Sequence, residues 1–280
     1  MREISYTAVV EAIRTLCIQA NTVLSPDLCQ AIRQAGAREA APVGRAILHD
    51  LEENFTFAAQ KGLPICQDTG MAVVFAALGQ EVHITGGLLS DAVNEGVARG
   101  YVEGCLRCSV VGDPLRRVNT QDNTPAILHL RLVEGDTLRL TVAPKGFGSE
   151  NMTALRMFQP SAGREDILDF LTKTVAQAGS NPCPPVIVGV GLGGTSEYAA
   201  LLAKQALLQP VDGHNPDPYY AQMEAEALSR INALGIGPQG LGGTTTALRV
   251  SILPCPTHIA GLPCCVNLGC HVTRHATAAL

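Results

Sequence analysis

The sequence predicts an α/β (α+β) fold, in which helices surround a mixed β-sheet core and the N-terminal region is helical. Apolar residues recur at helical spacing over the first sixty residues, and short apolar runs typical of strands then alternate with helical stretches. Hydrophobic residues make up 46% of the 280 residues and charged residues only 16%, a composition that can bury a large core and excludes intrinsic disorder. No linker, repeat or low-complexity stretch interrupts the chain, so we expect one domain over 1–280.

Three helices are predicted in the lead-in of residues 1–60. Over 5–20, Val9, Ile13 and Leu16 recur at helical spacing. The second helix, over 25–37, opens with Ser-Pro-Asp, an N-cap followed by proline at the first helical position. The third covers 42–60, after which Gly-Leu-Pro breaks the pattern.

The rest of the chain alternates strands and helices. Residues 127–132 and 138–142 both alternate apolar and polar positions and are separated by Glu-Gly-Asp, which predicts a hairpin. The remaining predicted strands are 71–78, 185–190 and 246–253, and the remaining predicted helices are 89–101, 164–178, 196–208 and 217–234.

Charge and targeting signals narrow the possible partners and location. A net charge of −5 gives no reason to expect nucleic-acid binding. The first twenty residues carry Arg2, Glu3, Glu11 and Arg14 and lack the apolar region of a signal peptide, and no window is apolar enough for a membrane span. We therefore expect a cytoplasmic protein whose thiols stay reduced.

A glycine-rich stretch at Gly189–Gly194 raises an alternative function. It follows a predicted strand, precedes a predicted helix and has the spacing G-x-G-x-x-G, an arrangement that binds dinucleotide pyrophosphates. Against it, the stretch lies deep in the chain, and Gly235–Gly240 matches the same spacing without a preceding strand. An NAD-dependent oxidoreductase is therefore a distant alternative, and a tight turn with close backbone approach is the simpler interpretation.

Three of the ten cysteines lie in unusual surroundings. Cys66 precedes Gln-Asp-Thr-Gly, Cys183 is enclosed in Pro-Cys-Pro-Pro, and Cys270 follows a glycine and precedes basic residues. Three thiolates would hold three irons of a cubane cluster and leave the fourth iron open as a Lewis acid, which suits hydro-lyase chemistry. The other seven are expected to be ordinary thiols, because the single C-x-x-C of Cys105 and Cys108 lacks the second pair of a typical zinc site. A non-catalytic iron–sulfur or zinc scaffold is a further alternative for the chain.

Five motifs together resemble one family over about residues 5–275. The chain resembles class I, iron–sulfur-dependent fumarate hydratase and L-tartrate dehydratase, in particular their alpha subunit or N-terminal domain. The motifs are CQDTG at 66–70, NTQDNTPA at 119–126, KGFGSEN at 145–151, NPCPP at 181–185 and LGIGPQG at 234–240.

The resemblance implies that Cys66, Cys183 and Cys270 ligate a [4Fe-4S] cluster. It also implies substrate contacts from Gln67, Asp68, Arg117 and the Gly146–Gly148 loop, and it places His258 near Asp68. Two departures bear on the shape of the pocket: Phe147 replaces a family glycine, and His271-Val272 replaces Trp-Ala after the third cysteine.

The chemistry of a dicarboxylate substrate suggests a role for each group. Arg117 can grip one carboxylate in a bidentate way, Lys145 is a second cationic anchor, and the N–H groups of Gly146 and Gly148 can add donors. An Asp68–His258 pair is a plausible catalytic proton relay, because a carboxylate orients the imidazole and raises its basicity.

The resemblance finally implies a substrate and a partner. NTQDNTPA is nearer the fumarase version of the motif, so reversible hydration of fumarate to L-malate in the tricarboxylic acid cycle is the main expectation and L-tartrate dehydration the alternative. Single-chain members carry a C-terminal domain that supplies further arginines and the C–H base. The chain is therefore expected to be the alpha subunit of a split enzyme, inactive without a beta subunit and assembled as α2β2.

Overall fold

The computed structural model describes residues 1–280 and contains helices and mixed β-sheets, so the predicted α/β class is confirmed. No helix is long and apolar enough to cross a membrane. The elements in chain order are β1 (Arg2–Ser5), α1 (Tyr6–Thr22), α2 (Pro26–Arg38), α3 (Pro42–Lys61), β2 (Met71–Gly79), β3 (Val82–Thr85), α4 (Leu89–Glu103), β4 (Ile127–Val133), β5 (Leu138–Lys145), α5 (Phe147–Glu150), β6 (Ala154–Phe158), α6 (Arg164–Ala178), β7 (Val186–Gly194), α7 (Ser196–Ala206), α8 (Pro218–Asn232), a 3-10 turn (Pro238–Gly240), β8 (Ala247–Thr257), β9 (Leu262–Gly269) and β10 (Ala276–Ala279).

The chain divides into two compact units, each assembled from separate segments. Unit 1 comprises Met1–Ser25, Phe55–Phe147 and Arg274–Leu280, and unit 2 comprises Pro26–Asn54 and Gly148–Thr273. The three helices of the lead-in are confirmed, but α1 belongs to unit 1 and α2 to unit 2. The single domain over 1–280 stays a prediction.

Unit 1 is a four-stranded sheet in the order β10-β5-β2-β4, with α1 and α4 packed against each other beside it. Its core contains Val74, Ala76 and Leu140 from the sheet and Val10 and Ile13 from α1. Glycines on α4 let the two helices approach closely. A Cβ at Gly96 would lie 2.6 Å from the Cβ of Ile13, and one at Gly100 would lie 2.8 Å from the Cβ of Cys17.

The predicted hairpin of residues 127–132 and 138–142 is wrong, although both segments are strands. β2 lies between them, parallel to β4 and antiparallel to β5. The physical reason is burial: β2 is mostly buried and apolar along its whole length, so it takes the centre, whereas β4 is largely exposed and forms an edge. Gly79 at the end of β2 donates to the carbonyl of Thr137, so the connection between β4 and β5 passes over the end of β2.

Unit 2 contains a second four-stranded sheet, in the order β6-β9-β7-β8, with helices on both faces. β7 runs parallel to β8 and antiparallel to β9. Val186, Val188 and Val190 point to one face, where they share a core with α6 and α8. The intervening positions of β7 face α7, because successive side chains of a strand alternate between faces.

The glycines of the proposed dinucleotide stretch have a packing role. Gly189 and Gly191 lie inside β7, where added Cβ atoms would stand 2.2 Å from the carbonyl oxygen of Ala203 and 1.9 Å from that of Ala199. The backbone of α7 therefore rests directly on the strand. The close backbone approach expected from the sequence is confirmed. The predicted tight turn is wrong, because Gly189–Gly194 belong to β7. The dinucleotide alternative required a loop between the strand and the helix at these glycines, and it loses that support.

Candidate active site

The loop that carries Cys66 leads into β2 and lies beside the end of β5. Met71 pairs with Lys145, so the residues before β2 and those after β5 meet at the same end of these two adjacent strands. Gly70 has a φ of +73°, and a Cβ there would stand 2.7 Å from both N and C of Lys145. Only glycine satisfies both the left-handed backbone and this contact. Two motifs that are 79 residues apart in sequence, at Asp68 and Phe147, are thereby brought into hydrogen-bond contact.

The Asp68 carboxylate is oriented by main-chain groups. Oδ1 accepts the N–H of Gly70 at 3.0 Å, and Oδ2 accepts the N–H of Phe147 at 3.1 Å. The carbonyl oxygen of Asp68 accepts a hydrogen bond from the buried guanidinium of Arg274 at 2.5 Å. A Cβ at Gly146 would lie 3.0 Å from Oδ2, so a side chain there would require the carboxylate to move by a few tenths of an ångström.

Phe147 does not disrupt this arrangement, although the related family has glycine there. The residue begins the short helix α5, its φ is not in the left-handed region, and its side chain is 48% exposed. Its N–H still reaches Asp68. The departure therefore changes the surface beside the carboxylate and leaves the main-chain contact intact.

The Cys66 thiol is half-buried and receives a main-chain N–H. The N–H of Asp68 lies 3.4 Å from Sγ, and Gln67 Oε1 lies 3.5 Å from it. Hydrogen bonds to sulfur are one of the means by which proteins tune iron–sulfur clusters. In the same unit, Lys145 is buried with Nζ 3.3 Å from the carbonyl oxygen of Gly146, and Arg117 is exposed on the loop between α4 and β4.

Unit 2 brings the Cys183 and Cys270 loops together. Ile187 pairs with Gly269, so the residues before β7 and those after β9 lie at the same end of these two adjacent strands. The N–H of His271 donates to the carbonyl oxygen of Cys183 at 3.3 Å, and its ring Nδ1 lies 3.0 Å from the same oxygen. The same Nδ1 also lies 3.1 Å from the side-chain Nε2 of Gln239, so the carbonyl oxygen of Cys183 and the Gln239 amide both contact this ring nitrogen.

The Cys183 loop is held in a strained form by its neighbours. Cys183 has a φ of +53°, which side chains rarely adopt, and such conformations persist where the surroundings enforce them. Both the N–H and the side-chain amide of Gln239 donate to the carbonyl of Pro184 at 2.8 Å. Gly148 lies beside the same loop, since a Cβ there would be 3.1 Å from the carbonyl oxygen of Asn181.

His258 lies in the exposed turn between β8 and β9. Its Nδ1 accepts the N–H of Ala260 at 3.1 Å, and its carbonyl accepts the N–H of Gly261. Asp68 belongs to unit 1 and His258 to unit 2, so their pairing stays a prediction.

Burial separates the remaining cysteines into several kinds. Burial raises the pKa of Cys17 and Cys264 to about 12 and that of Cys265 to about 11; at Cys265, Lys204 lowers the pKa by a smaller amount and Glu150 raises it. These thiols remain protonated near neutral pH and are poor metal ligands. Cys66 and Cys270 are instead half-buried and Cys183 is exposed, and no disulfide is formed among the ten cysteines.

The donor set suits an iron–sulfur cluster. Thiolates are the ligands that such clusters use, and the Cys66 sulfur already receives a main-chain N–H. Cys66 belongs to unit 1 and the other two candidate ligands to unit 2. Neither unit by itself gathers three His, Cys, Asp or Glu side chains that could hold a metal ion.

Unit 1 of this α/β scaffold therefore presents a loop cysteine, Cys66, beside the fixed carboxylate of Asp68. Residues 10–279 match the family model described as fumarate hydratase (Fumerase). The chain belongs to this family and is a hydro-lyase.

Curated relatives cover almost the whole chain. A putative L(+)-tartrate dehydratase subunit alpha from Methanocaldococcus jannaschii is 38% identical over 274 residues, which are 96% of this chain and 94% of that protein. The L(+)-tartrate dehydratase subunit alpha of Escherichia coli strain UTI89 is 30% identical over 271 residues, or 95% and 89% of the two chains. These names favour the alternative substrate, L-tartrate, over the main expectation of fumarate.

Proposed function

We propose that this chain is the alpha subunit of a [4Fe-4S] hydro-lyase that dehydrates L(+)-tartrate together with a separate beta subunit. The observation that carries this proposal is the similarity along nearly the whole chain to proteins named as that alpha subunit. We also place the protein in the cytoplasm, where thiols stay reduced.

Fumarate hydration is the second candidate. The matching family model is described as fumarate hydratase, and the NTQDNTPA motif at 119–126 resembles the fumarase version. L-tartrate and L-malate, the hydration product of fumarate, are both four-carbon dicarboxylates that lose water across adjacent carbons. One extra hydroxyl separates L-tartrate from L-malate, so small differences in the pocket decide between them.

The three loop cysteines would hold the cluster. When bound, it supplies a Lewis acid that makes the substrate hydroxyl a better leaving group. The proposed ligands are Cys66, Cys183 and Cys270. Each lies in a loop next to the end of a strand: Cys66 before β2, Cys183 before β7 and Cys270 after β9.

The chain's own residues bind and orient the substrate. Arg117 and Lys145 provide cationic groups for the two carboxylates, and Gln67 and the N–H groups of Gly146 and Gly148 provide further donors. Fixing the substrate in this way lowers the entropic part of the barrier.

Asp68 and His258 are proposed to act as a proton relay within the site. Both oxygens of Asp68 already accept main-chain N–H bonds, which fixes the direction of their remaining lone pairs. An imidazole hydrogen-bonded to such a carboxylate is oriented and made more basic. The base that removes the substrate C–H proton is assigned to the beta subunit.

The test is turnover by the anaerobically purified complex with its beta subunit. L-tartrate should be converted to a 2-oxo acid, because loss of water from two adjacent hydroxyl-bearing carbons leaves an enol, whereas L-malate should give fumarate. D-tartrate serves as the stereochemical control. Turnover of fumarate and L-malate without L-tartrate would establish the second candidate, and no turnover of either by a complex carrying iron and sulfide would refute both.

A further inference from the structure

The segment directly after Asp68 is held by buried side chains that the proposed reaction does not use. The hydroxyl of Tyr101, on α4, lies 2.9 Å from the carbonyl oxygen of Thr69 and 3.0 Å from that of Gly70. Thr69 is itself buried, and its hydroxyl accepts the N–H of Arg107 at 2.9 Å and donates to the carbonyl of Arg107 at 3.1 Å. The position of the Asp68 loop is therefore set from outside the loop.

Asn123 links this loop to a second one. Its side-chain Nδ2 donates to the carbonyl of Gly70 at 3.1 Å, while its Oδ1 accepts the N–H groups of Ser109 at 2.7 Å and Val110 at 3.2 Å. Asn123 is fully buried, so these bonds are made without competition from water.

The second loop is a small hairpin that carries Arg117. Val111 pairs with Asn119, the N–H of Gly112 donates to the carbonyl of Val118, and the N–H of Thr120 donates to the carbonyl of Val110. Asn123 therefore holds the base of the hairpin with one end of its amide and the Asp68 loop with the other.

We propose that Asn123 is a positioning residue that fixes the Arg117 hairpin relative to the Asp68 loop, with Tyr101 securing the loop from α4. This inference rests on the proposed function, because it takes Asp68 and Arg117 as site residues. A substrate that is held by one loop while a group on the other loop relays a proton requires a constant separation of the two loops, since small displacements of reacting groups slow catalysis strongly.

The residue type fits the task. Asn123 has a φ of +62°, a conformation that asparagine tolerates better than most side chains. Its amide combines a donor and an acceptor on one short side chain, whereas an ionised aspartate would offer acceptors only. Asn123→Asp therefore keeps an acceptor for the hairpin and replaces the donor to Gly70 by a carboxylate oxygen that faces the Gly70 carbonyl and repels it.

The experiment compares Asn123→Asp and Tyr101→Phe in the complex with the beta subunit. Asn123→Asp should raise KM and lower kcat, each by about tenfold, because the hairpin and the loop are uncoupled. Tyr101→Phe should lower kcat by about tenfold and leave KM within about threefold, because only the Asp68 loop is loosened. The double variant should lose less than the product of the two kcat effects, because both act through the carbonyl of Gly70.

Hydrogen exchange of the full 280-residue chain without iron gives a second readout. Amides of residues 68–70 should exchange about tenfold faster in both variants than in the unaltered chain. Tyr198→Phe, at a partly exposed tyrosine of unit 2, is the control. It should change neither the exchange of the amides of residues 68–70 nor the kinetics.

The outcomes separate the two proposals. An inactive unaltered complex refutes the proposed function and the positioning role with it. An active complex in which both variants keep wild-type kinetics overturns the positioning role alone, even if exchange is faster, because Asn123 would then serve stability only. If Asn123→Asp does not fold, Tyr101→Phe decides by the same comparison of kcat with KM.

Discussion

At the scale of single residues, glycine is required where the backbone takes a positive φ and also packs closely against another strand. Gly70 is an example: the close approach to Lys145 and the positive φ explain why the motif ends in glycine. The contacts from Tyr101 and Asn123 were not foreseen. A tyrosine in an amphipathic helix looks like core, and an asparagine in a loop looks like a turn residue, so their shared partner emerges only when distant segments are folded together.

Gly70→Ala should destabilise the chain more than an equivalent change at another left-handed glycine. At Gly70 a Cβ would collide with the Lys145 backbone, whereas Gly62 has a φ of +64° and nothing within 4 Å of the added atom. We expect a loss of about 1 kcal/mol for Gly62→Ala from backbone conformation alone, and about 3 kcal/mol or more for Gly70→Ala. Urea unfolding measures both. Equal losses would mean that the loop simply moves away from β5.

Cys183→Ala should abolish the cluster while leaving the fold intact. Cys183 is exposed and supports no core, so its removal should change the free energy of unfolding by less than about 0.5 kcal/mol. Iron and sulfide content after anaerobic reconstitution should fall from about four of each per chain to near zero. Cys29→Ala, at a half-buried cysteine on α2, is the control and should retain both. Full iron content in the Cys183 variant would contradict the ligand assignment.

At the scale of elements, the sequence located strands and helices better than it paired them. Helical periodicity predicted α1, α4, α6, α7 and α8, because one face of each is buried. The hairpin failed because alternation in β4 and β5 says which residues face inward and nothing about which strand lies between them. β9 was missed because it is buried on both faces, so its residues show no alternation at all.

Glu39 offers a test of how one side chain joins two elements. This buried carboxylate, just after α2, accepts N–H bonds from Ala41, Thr244 and Thr245. Burial raises its pKa, and the hydrogen bonds, led by that of Thr244, lower it further than burial raises it, to about 2. Because the pKa is below the ordinary value of 4.5, its contribution to stability is present above about pH 4.5 and is lost as the pH falls toward 2.

Glu39→Gln should therefore lower the free energy of unfolding by about 2 kcal/mol at pH 7, because an amide N–H₂ would face main-chain donors. The difference from the unaltered chain should shrink between pH 4.5 and pH 3, as measured by urea unfolding at each pH. Glu53→Gln, at an exposed glutamate on α3, should change stability by less than about 0.5 kcal/mol. A difference that does not depend on pH would show that the charge of Glu39 is not what stabilises the loop.

At the scale of the whole molecule, the discontinuity of the two units constrains how the chain can unfold. The polypeptide passes between them at four points, after Ser25, Asn54, Phe147 and Thr273. The candidate cluster ligands follow the same division, with Cys66 in unit 1 and the others in unit 2. Each unit is built from separate segments, so a single continuous fragment of the chain cannot form either unit. The sequence does not reveal the division, because no linker marks the points where the chain passes from one unit to the other.

We therefore expect both units to unfold in one cooperative transition. The chain carries its own reporters, because Cys17 lies buried in unit 1 and Cys264 lies buried in unit 2, and burial raises the pKa of each thiol to about 12. Pulsed alkylation across a urea series, read by mass spectrometry, should give the same midpoint for both, because loss of one unit removes the ends that anchor the other's segments. The exposed Cys105 should react at every urea concentration and control for reagent activity. Separate midpoints for Cys17 and Cys264 would mean that the two units are independent domains.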